Sequence, residues 1–483
     1  MQETKRFASD VGLILIASII NMLLTLVISI VLGRNLGAED LGLYKMTYTF
    51  YGIAILTGAL GIPSAAIKFV AELKDDRQKL DQLVSSAVIT SFTMGILFSI
   101  AFFLLSDMIA GAFNMPMLGD LLRTLSPIFP FVLTGSALFG LLNGLRKIKI
   151  YAFISILQSG ILIAVTLILI YRGLGVEGAI IGMVASSFTA CFLLVGVCRR
   201  FYGLTLIGYS KNAGILLDFG IKMFGANLVN TLNSQADTLF IGYFLPASSV
   251  GYYGAAANLS RFFWLFPQAI QTISYPATSE YYSKRDMASL QKMIDKSMRF
   301  SAVILLPIGL VLGVFAEEIV VLIYGQDFSS SKLPLQILIV GTLIFGITCT
   351  SIGGTLAGVN RPDLSLKASA VGAMVNALLN LSLIPTLGLV GASIAMTASL
   401  LISAMIFDIM VIRTLRIRLH LAWLAKAVFL MGLAIIFFEI GKDLLNHYFI
   451  GLIILGIYIS LTCGIILTKE DMKFIKRLVT NPF

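Results

Sequence analysis

The chain has 483 residues, of which 58% are hydrophobic and only 12% charged, and its formal net charge is +10. That balance excludes a soluble globular domain, and long apolar runs separated by short gaps leave no room for a large domain outside the bilayer. The runs are continuous rather than alternating, which excludes a β-barrel and leaves an all-α polytopic membrane protein.

In chain order the runs predict 14 transmembrane helices: 9–33, 40–65, 82–106, 118–144, 150–171, 176–198, 214–244, 248–275, 298–324, 333–358, 363–386, 389–412, 420–440 and 446–467. The first run is too long for a cleaved signal peptide and reads as span 1. Lysines and arginines test this assignment independently. The N-terminus, every second connection and the C-terminus hold 26 of the 35, the richest connection carrying Lys284, Arg285, Lys292, Lys296 and Arg299. The alternate connections hold only Arg34, Arg172, Lys332 and Lys442. The excess marks the cytoplasmic side, so both termini are expected in the cytoplasm and the protein in the cell membrane. The positive charge is thereby topological, with the lipid bilayer as partner and no nucleic acid.

The chain also repeats itself. The segment from Gly33 to Tyr44 (GRNLGAEDLGLY) and the segment from Gly242 to Tyr253 (GYFLPASSVGYY) share Gly, Leu, Ala, Gly and Tyr in register at a separation of 209. A second pair, Gly173 to Ala179 and Thr386 to Ala392, repeats at 213. Spans 1–6 thus map onto spans 7–12 from the same side, as two pseudo-symmetric six-helix lobes in parallel topology. The expected domains are an N-lobe over 1–212, a C-lobe over 213–419, and spans 13–14 with a cytoplasmic tail over 420–483. Two like lobes suit alternating access, with a substrate cleft between them.

Polar residues inside the spans nominate the site. Span 1 carries Asn21 and Thr25, and span 7 carries Asn227, Asn230, Ser234 and Asp237 on one helical stripe, with Ile28 standing where the repeat has Asp237. Such stripes suit a sugar-accommodating cleft, and interhelical amide bonding is the plainer reading. Span 8 carries Asn258 and Arg261, the latter about 20 Å deep at 1.5 Å per residue, where a cation costs at least ~2.5 kcal/mol. Arg261 either clamps a pyrophosphate in a wet cavity or forms an ion pair with Asp237. Asp237 is the candidate for coupling to H⁺ or Na⁺. Lys45 and Arg123 lie near the outer ends of spans 2 and 4, either snorkelling to headgroups or guarding the cavity mouth. Tyr44 and Tyr253 read as interfacial anchors, and Asp408 in span 12 as interfacial.

The LGRxLGxxxLGxY string after span 1 and the Gly61 to Glu72 string (GIPSAAIKFVAE) closing span 2 resemble the polysaccharide-transporter branch of the multidrug/oligosaccharidyl-lipid/polysaccharide exporter superfamily. The resemblance covers nearly the whole chain. It implies a flippase that moves a polyprenyl-(pyro)phosphate-linked oligosaccharide from the cytoplasmic to the outer leaflet. The residues nominated above to bind that substrate are Arg261, Asn230, Asn21, Ser234, Asn258, Lys45 and Arg123, of which the resemblance itself supports Arg261. Glycan-assembly enzymes of the same pathway are the candidate partners. Lipid II flippases of the superfamily resemble this chain less closely, since their cavity arginines on spans 1, 2 and 8 are matched only by Arg261. Cation-coupled drug exporters of the superfamily tend to carry acids in the N-lobe cavity, and spans 1–6 have essentially none at depth.

No phosphate-cradling GxxxxGK[ST] loop is present. The cysteines Cys191, Cys198, Cys349 and Cys463 lie in apolar runs without CxxC spacing, and the two histidines, His420 and His447, sit at helix ends. No metal, no cofactor and no catalytic residue is therefore expected. The outer connections are short and poor in charge, which argues against an enzyme of the same pathway.

Overall fold

The computed structural model describes residues 2–261, 264–419, 421–441, 447–467 and 471, and among them every regular element is helical. His420, Lys442, Lys469, Lys473, Lys476 and Arg477 lie outside the described residues, as do the side chains of residues 1–11, Asn230 and His447. The α-helices are, in chain order, α1 (Gln2–Ala59), α2 (Ile62–Leu73), α3 (Arg77–Ala112), α4 (Pro116–Leu125), α5 (Phe129–Gly144) and α6 (Ile148–Tyr171). Then come α7 (Gly175–Cys198), α8 (Tyr209–Phe244), α9 (Ala247–Arg261), α10 (Leu265–Ser283), α11 (Met287–Val314) and α12 (Ala316–Tyr324). The last six are α13 (Lys332–Phe345), α14 (Gly354–Gly358), α15 (Pro362–Leu387), α16 (Leu389–Leu415), α17 (Ala422–Gly441) and α18 (His447–Ile466).

Among the described residues, 10 helical stretches are long and apolar enough to cross a bilayer, or 11 if the bent pair Tyr209–Gly225 and Asn227–Phe244 is one span. One of them, Ile16–Ala59, runs for 44 residues. At 1.5 Å per residue that is about 66 Å, twice the thickness of hydrocarbon. The helical run is broken inside it at Gly37, with φ 85° and ψ −174°. An L side chain rarely adopts that conformation, so the glycine of the first repeated turn is what lets the backbone break there.

Large apolar side chains face outward, Leu104 at 70% exposure and Met108 and Phe153 nearly as open. On a soluble protein such a surface would aggregate; here it is the face that meets lipid.

The chain falls into two compact units, Met1–Gly254 and Ala255–Phe483, with the division inside α9. In the first unit α8 packs on α1, α2 and α3, and α5 packs on α2, α3 and α7. Its core runs through Ile62, Leu83, Leu138, Leu141, Leu194 and Leu216, from α2, α3, α5, α7 and α8. In the second unit α15 and α16 form a hairpin against α13, and α17 and α18 form another against α11. Small residues set these distances: a Cβ on Gly341 would lie 2.9 Å from Thr397 Cα, and Gly372 faces Ser399 and Ser403. Close backbone approach of this kind is how apolar helices gain packing in lipid.

Two helix starts away from the hydrocarbon are capped alike. Asp76 accepts a hydrogen bond from the Lys79 backbone N–H (3.1 Å) at the head of α3, and Asp286 accepts one from the Ser289 N–H (3.0 Å) at the head of α11. Both satisfy amides that a helix start leaves unpaired.

Candidate functional site

The two repeated turns pack on each other within the first unit. A Cβ on Gly42 would overlap the carbonyl of Ala247, and a Cβ on Gly251 would overlap the carbonyl of Ala38. Gly42 and Gly251 are repeat equivalents at 209, and so are Ala38 and Ala247. The contact is therefore reciprocal, as a pseudo-two-fold requires. A second backbone crossing joins the end of the α1–α2 segment to α8, where Gly61 faces the Gly220 carbonyl and Gly220 faces the Leu60 carbonyl.

Asp237 on α8 is buried at 1% exposure, and its carboxyl oxygen accepts a hydrogen bond from the Tyr253 phenol at 2.5 Å. Tyr253 closes the second repeated turn, which is what brings its ring over α8. Its repeat equivalent Tyr44 is buried as well, its ring 6.3 Å from Tyr48, which in turn lies 5.8 Å from Tyr51. Neither tyrosine is the interfacial anchor that its place at a span end predicts. Both segments bury their tyrosine, at 5% exposure for Tyr44 and 3% for Tyr253.

The polar stripe of α8 divides. Asn227 and Ser234 are exposed, the Ser234 hydroxyl donating to the Thr231 carbonyl at 2.9 Å, whereas Asp237 points into packing. Gln235, one residue off the stripe, makes the cross-helix bond: it accepts from the Thr49 hydroxyl at 3.1 Å. No periodicity singles out Gln235; its signal was only an amide inside an apolar run. Asn21 is held by α6, donating to Ser155 Oγ (2.8 Å) and accepting from Ser159 Oγ (2.9 Å). That is interhelical amide bonding.

Arg123 is ion-paired to Asp107 and Asp120 at the junction of α3 and α4. Lys45 is half-buried on α1, with its methylenes against Gly254. In the second unit, Asn258 and Arg261 are half-buried on the last turns of α9. Close by, Trp264 donates its indole N–H to the Thr342 carbonyl at 2.9 Å, and its ring lies 5.4 Å from that of Phe345. Asp408, expected at the interface, is instead buried on α16.

A bundle of apolar helices, 10 or 11 of them long enough among the described residues to cross a bilayer, defines a multi-pass membrane protein. Its fold is shared with a solved structure of the lipid II flippase MurJ, in an inward closed conformation, which superposes with a TM-score of 0.74 over 93% of this chain and 98% of that one, at 15% identity. Residues 31–333 match the family model described as "Polysaccharide biosynthesis protein", and the chain belongs to that family. Relatives include the probable low-salt glycan biosynthesis flippase Agl15 of Haloferax volcanii, 24% identical over 77% of each chain. The lipopolysaccharide biosynthesis protein WzxC of Escherichia coli is 26% identical, over 73% of this chain and 70% of its own.

Proposed function

We propose that the protein is a flippase that carries a polyprenyl-(pyro)phosphate-linked oligosaccharide from the cytoplasmic to the outer leaflet by alternating access. The observation that carries this reading is the family match over residues 31–333, joined by relatives named as glycan flippases. The finer architecture belongs to the same proposal. It has 14 spans, α1 counting as two across Gly37, lobes over 1–212 and 213–419, spans 13–14 over 420–483, and both termini in the cytoplasm of a cell-membrane protein.

Arg261 is assigned to the pyrophosphate, which a guanidinium binds in bidentate fashion. Its half-burial on the last turn of α9 supports the assignment, since a fully packed guanidinium could not meet a ligand. Asn258, Asn230 and Ser234 are assigned to the sugar, with Asn21 supporting span 1 through its bonds to α6. Lys45 and Arg123 are assigned to the approach of the anionic headgroup, Arg123 by exchanging its carboxylate partners. Asp237 is assigned to coupling with H⁺ or Na⁺, because a buried carboxyl in reach of a phenol changes partners when it gains or loses charge. Glycan-assembly enzymes would supply the cargo and consume it.

The test is a reconstituted flipping assay with a lipid-linked oligosaccharide. Folded Arg261→Ala is expected to lose transport and Arg261→Lys to keep part of it; unimpaired transport by Arg261→Ala would remove the clamp from this reading.

A further inference from the structure

Between α10 and α11, wholly inside the second unit, lies an open groove of about 560 Å³. Its lining changes character along its length. Ile270, Met293 and Phe300 give apolar wall, while Tyr281, Lys292 and Lys296 give hydroxyl and charge. Lys292 and Lys296 are one helical turn apart on one face of α11, and both are exposed. Beneath them the Ser274 and Ser297 hydroxyls bond across the two helices at 3.2 Å and fix the spacing of the walls.

Carboxylates lie on the neighbouring turns. Glu280 pairs with Lys284, Asp286 caps α11 at the Ser289 N–H, and Asp295 accepts from the Gln291 amide. Asp286 feels the Lys292 charge electrostatically without an ion pair. A groove with an apolar wall, two lysines and a phenol fits a molecule with a single anionic phosphate and hydrocarbon attached to it. The basic connection that leads into α11 is also the richest in lysine and arginine in the chain, the pattern that faces anionic headgroups.

We propose that this groove is a binding site for an anionic glycerophospholipid of the surrounding membrane, its phosphate on Lys292 and Lys296 and its first acyl methylenes along Ile270, Met293 and Phe300. A resident phospholipid suits the groove because apolar wall and basic residues lie side by side along it, and competition with polyprenyl pyrophosphate separates that lipid from the transported cargo. The site is independent of the flipping reaction. It would tether α10 to α11 through a lipid whose supply depends on the composition of the membrane.

The full chain in lipid nanodiscs tests it by the lipid dependence of its thermal unfolding and by native mass spectrometry. The wild type is expected to retain phosphatidylglycerol and to unfold at higher temperature as this lipid replaces phosphatidylcholine. Each lysine removed (Lys292→Gln, Lys296→Gln) is expected to weaken retention about fivefold. The Lys292→Arg/Lys296→Arg variant should keep it, as should Lys284→Gln/Arg285→Gln on the adjoining turn. Equal retention by the double glutamine variant overturns the site. So does an equal effect of inorganic phosphate without lipid, or displacement by polyprenyl pyrophosphate at stoichiometric amounts, which would make the groove a cargo site.

Discussion

Tyr253 donates to the buried carboxyl of Asp237 at 2.5 Å, and the position equivalent to Asp237 in the first half of the chain is the buried Ile28. Both segments thus carry the tyrosine, and only the second has an acid for it to hold. Tyr253→Phe removes the donor and leaves its acceptor buried, a loss of about 2 kcal/mol for a bond to a carboxyl group. The expected result is a lower unfolding temperature in detergent. In a double-mutant cycle, Tyr253→Phe should cost little once Asp237→Leu is present. Independent, additive losses would mean that the pair does not act as a unit.

The reciprocal contact of Gly42 with Ala247 and Gly251 with Ala38 leaves no space for a methyl group on either glycine. Gly42→Ala/Gly251→Ala should therefore strain the packed arrangement by about 2 kcal/mol, a shift of about thirtyfold away from it in a two-state equilibrium. Spin labels at Asn35 and Pro246, both exposed on the two turns, would report this as a longer distance distribution. A folded variant with an unchanged distribution would show that the contact does not bias the conformational equilibrium.

The two capping aspartates give a pH signature outside the hydrocarbon. Asp76 is held below the ordinary carboxylate value by its bonds to Lys79, side chain first and backbone N–H second, and Asp286 likewise by its bonds to Ser289. A carboxyl whose folded value is depressed adds stability above its unfolded value, near 3.8, and loses it as the pH falls through the lower folded value. Asp76→Ala and Asp286→Ala should thus lower the unfolding temperature at neutral pH. The difference from wild type should close in acid below the ordinary carboxylate value. A difference that persists there would place the effect in helix geometry alone.

The long apolar helices were legible in the sequence, and the direction in which their side chains face was not. Hydropathy and the alternation of charge locate the runs, and the glycine of the first repeated turn is where α1 breaks. Which way a side chain turns depends on neighbours that the sequence does not name. Tyr253 and Tyr44 sit at span ends, as an anchor would, yet both are buried, Tyr253 on Asp237 and Tyr44 against the ring of Tyr48. Arg123 stands where a snorkelling residue would, but Asp120 lies one turn before it on the short α4, and the packing of α4 on α3 brings Asp107 into reach. Asn21 and Asp237 were visible as polar residues in apolar runs. Their partners, Ser155, Ser159 and Tyr253, come from other helices or from a turn, and hydroxyls carry almost no signal in a hydrophobic pattern.

Asp408 is the sharpest case of this kind. Its position near the end of span 12 suggests an interface, yet it is 7% exposed on α16 beside the thiol of Cys349, and its Oδ1 has no hydrogen-bond partner among the described residues. An ionised carboxylate held so would be a buried charge without a counter-ion, and removing such a charge while keeping its shape relieves a desolvation cost. Asp408→Asn is therefore expected to fold and to unfold at the same or a higher temperature than wild type, by the equivalent of about 1 kcal/mol. Asp408→Leu should fare about as well, because the surrounding residues make little use of the carboxyl. Thermal unfolding of both variants, measured with and without Na⁺, separates the alternatives. A loss of about 3 kcal/mol in Asp408→Asn, or a Na⁺-dependent stabilisation present in wild type and absent in the variant, would mean that the carboxylate holds a cation and belongs to the transport cycle.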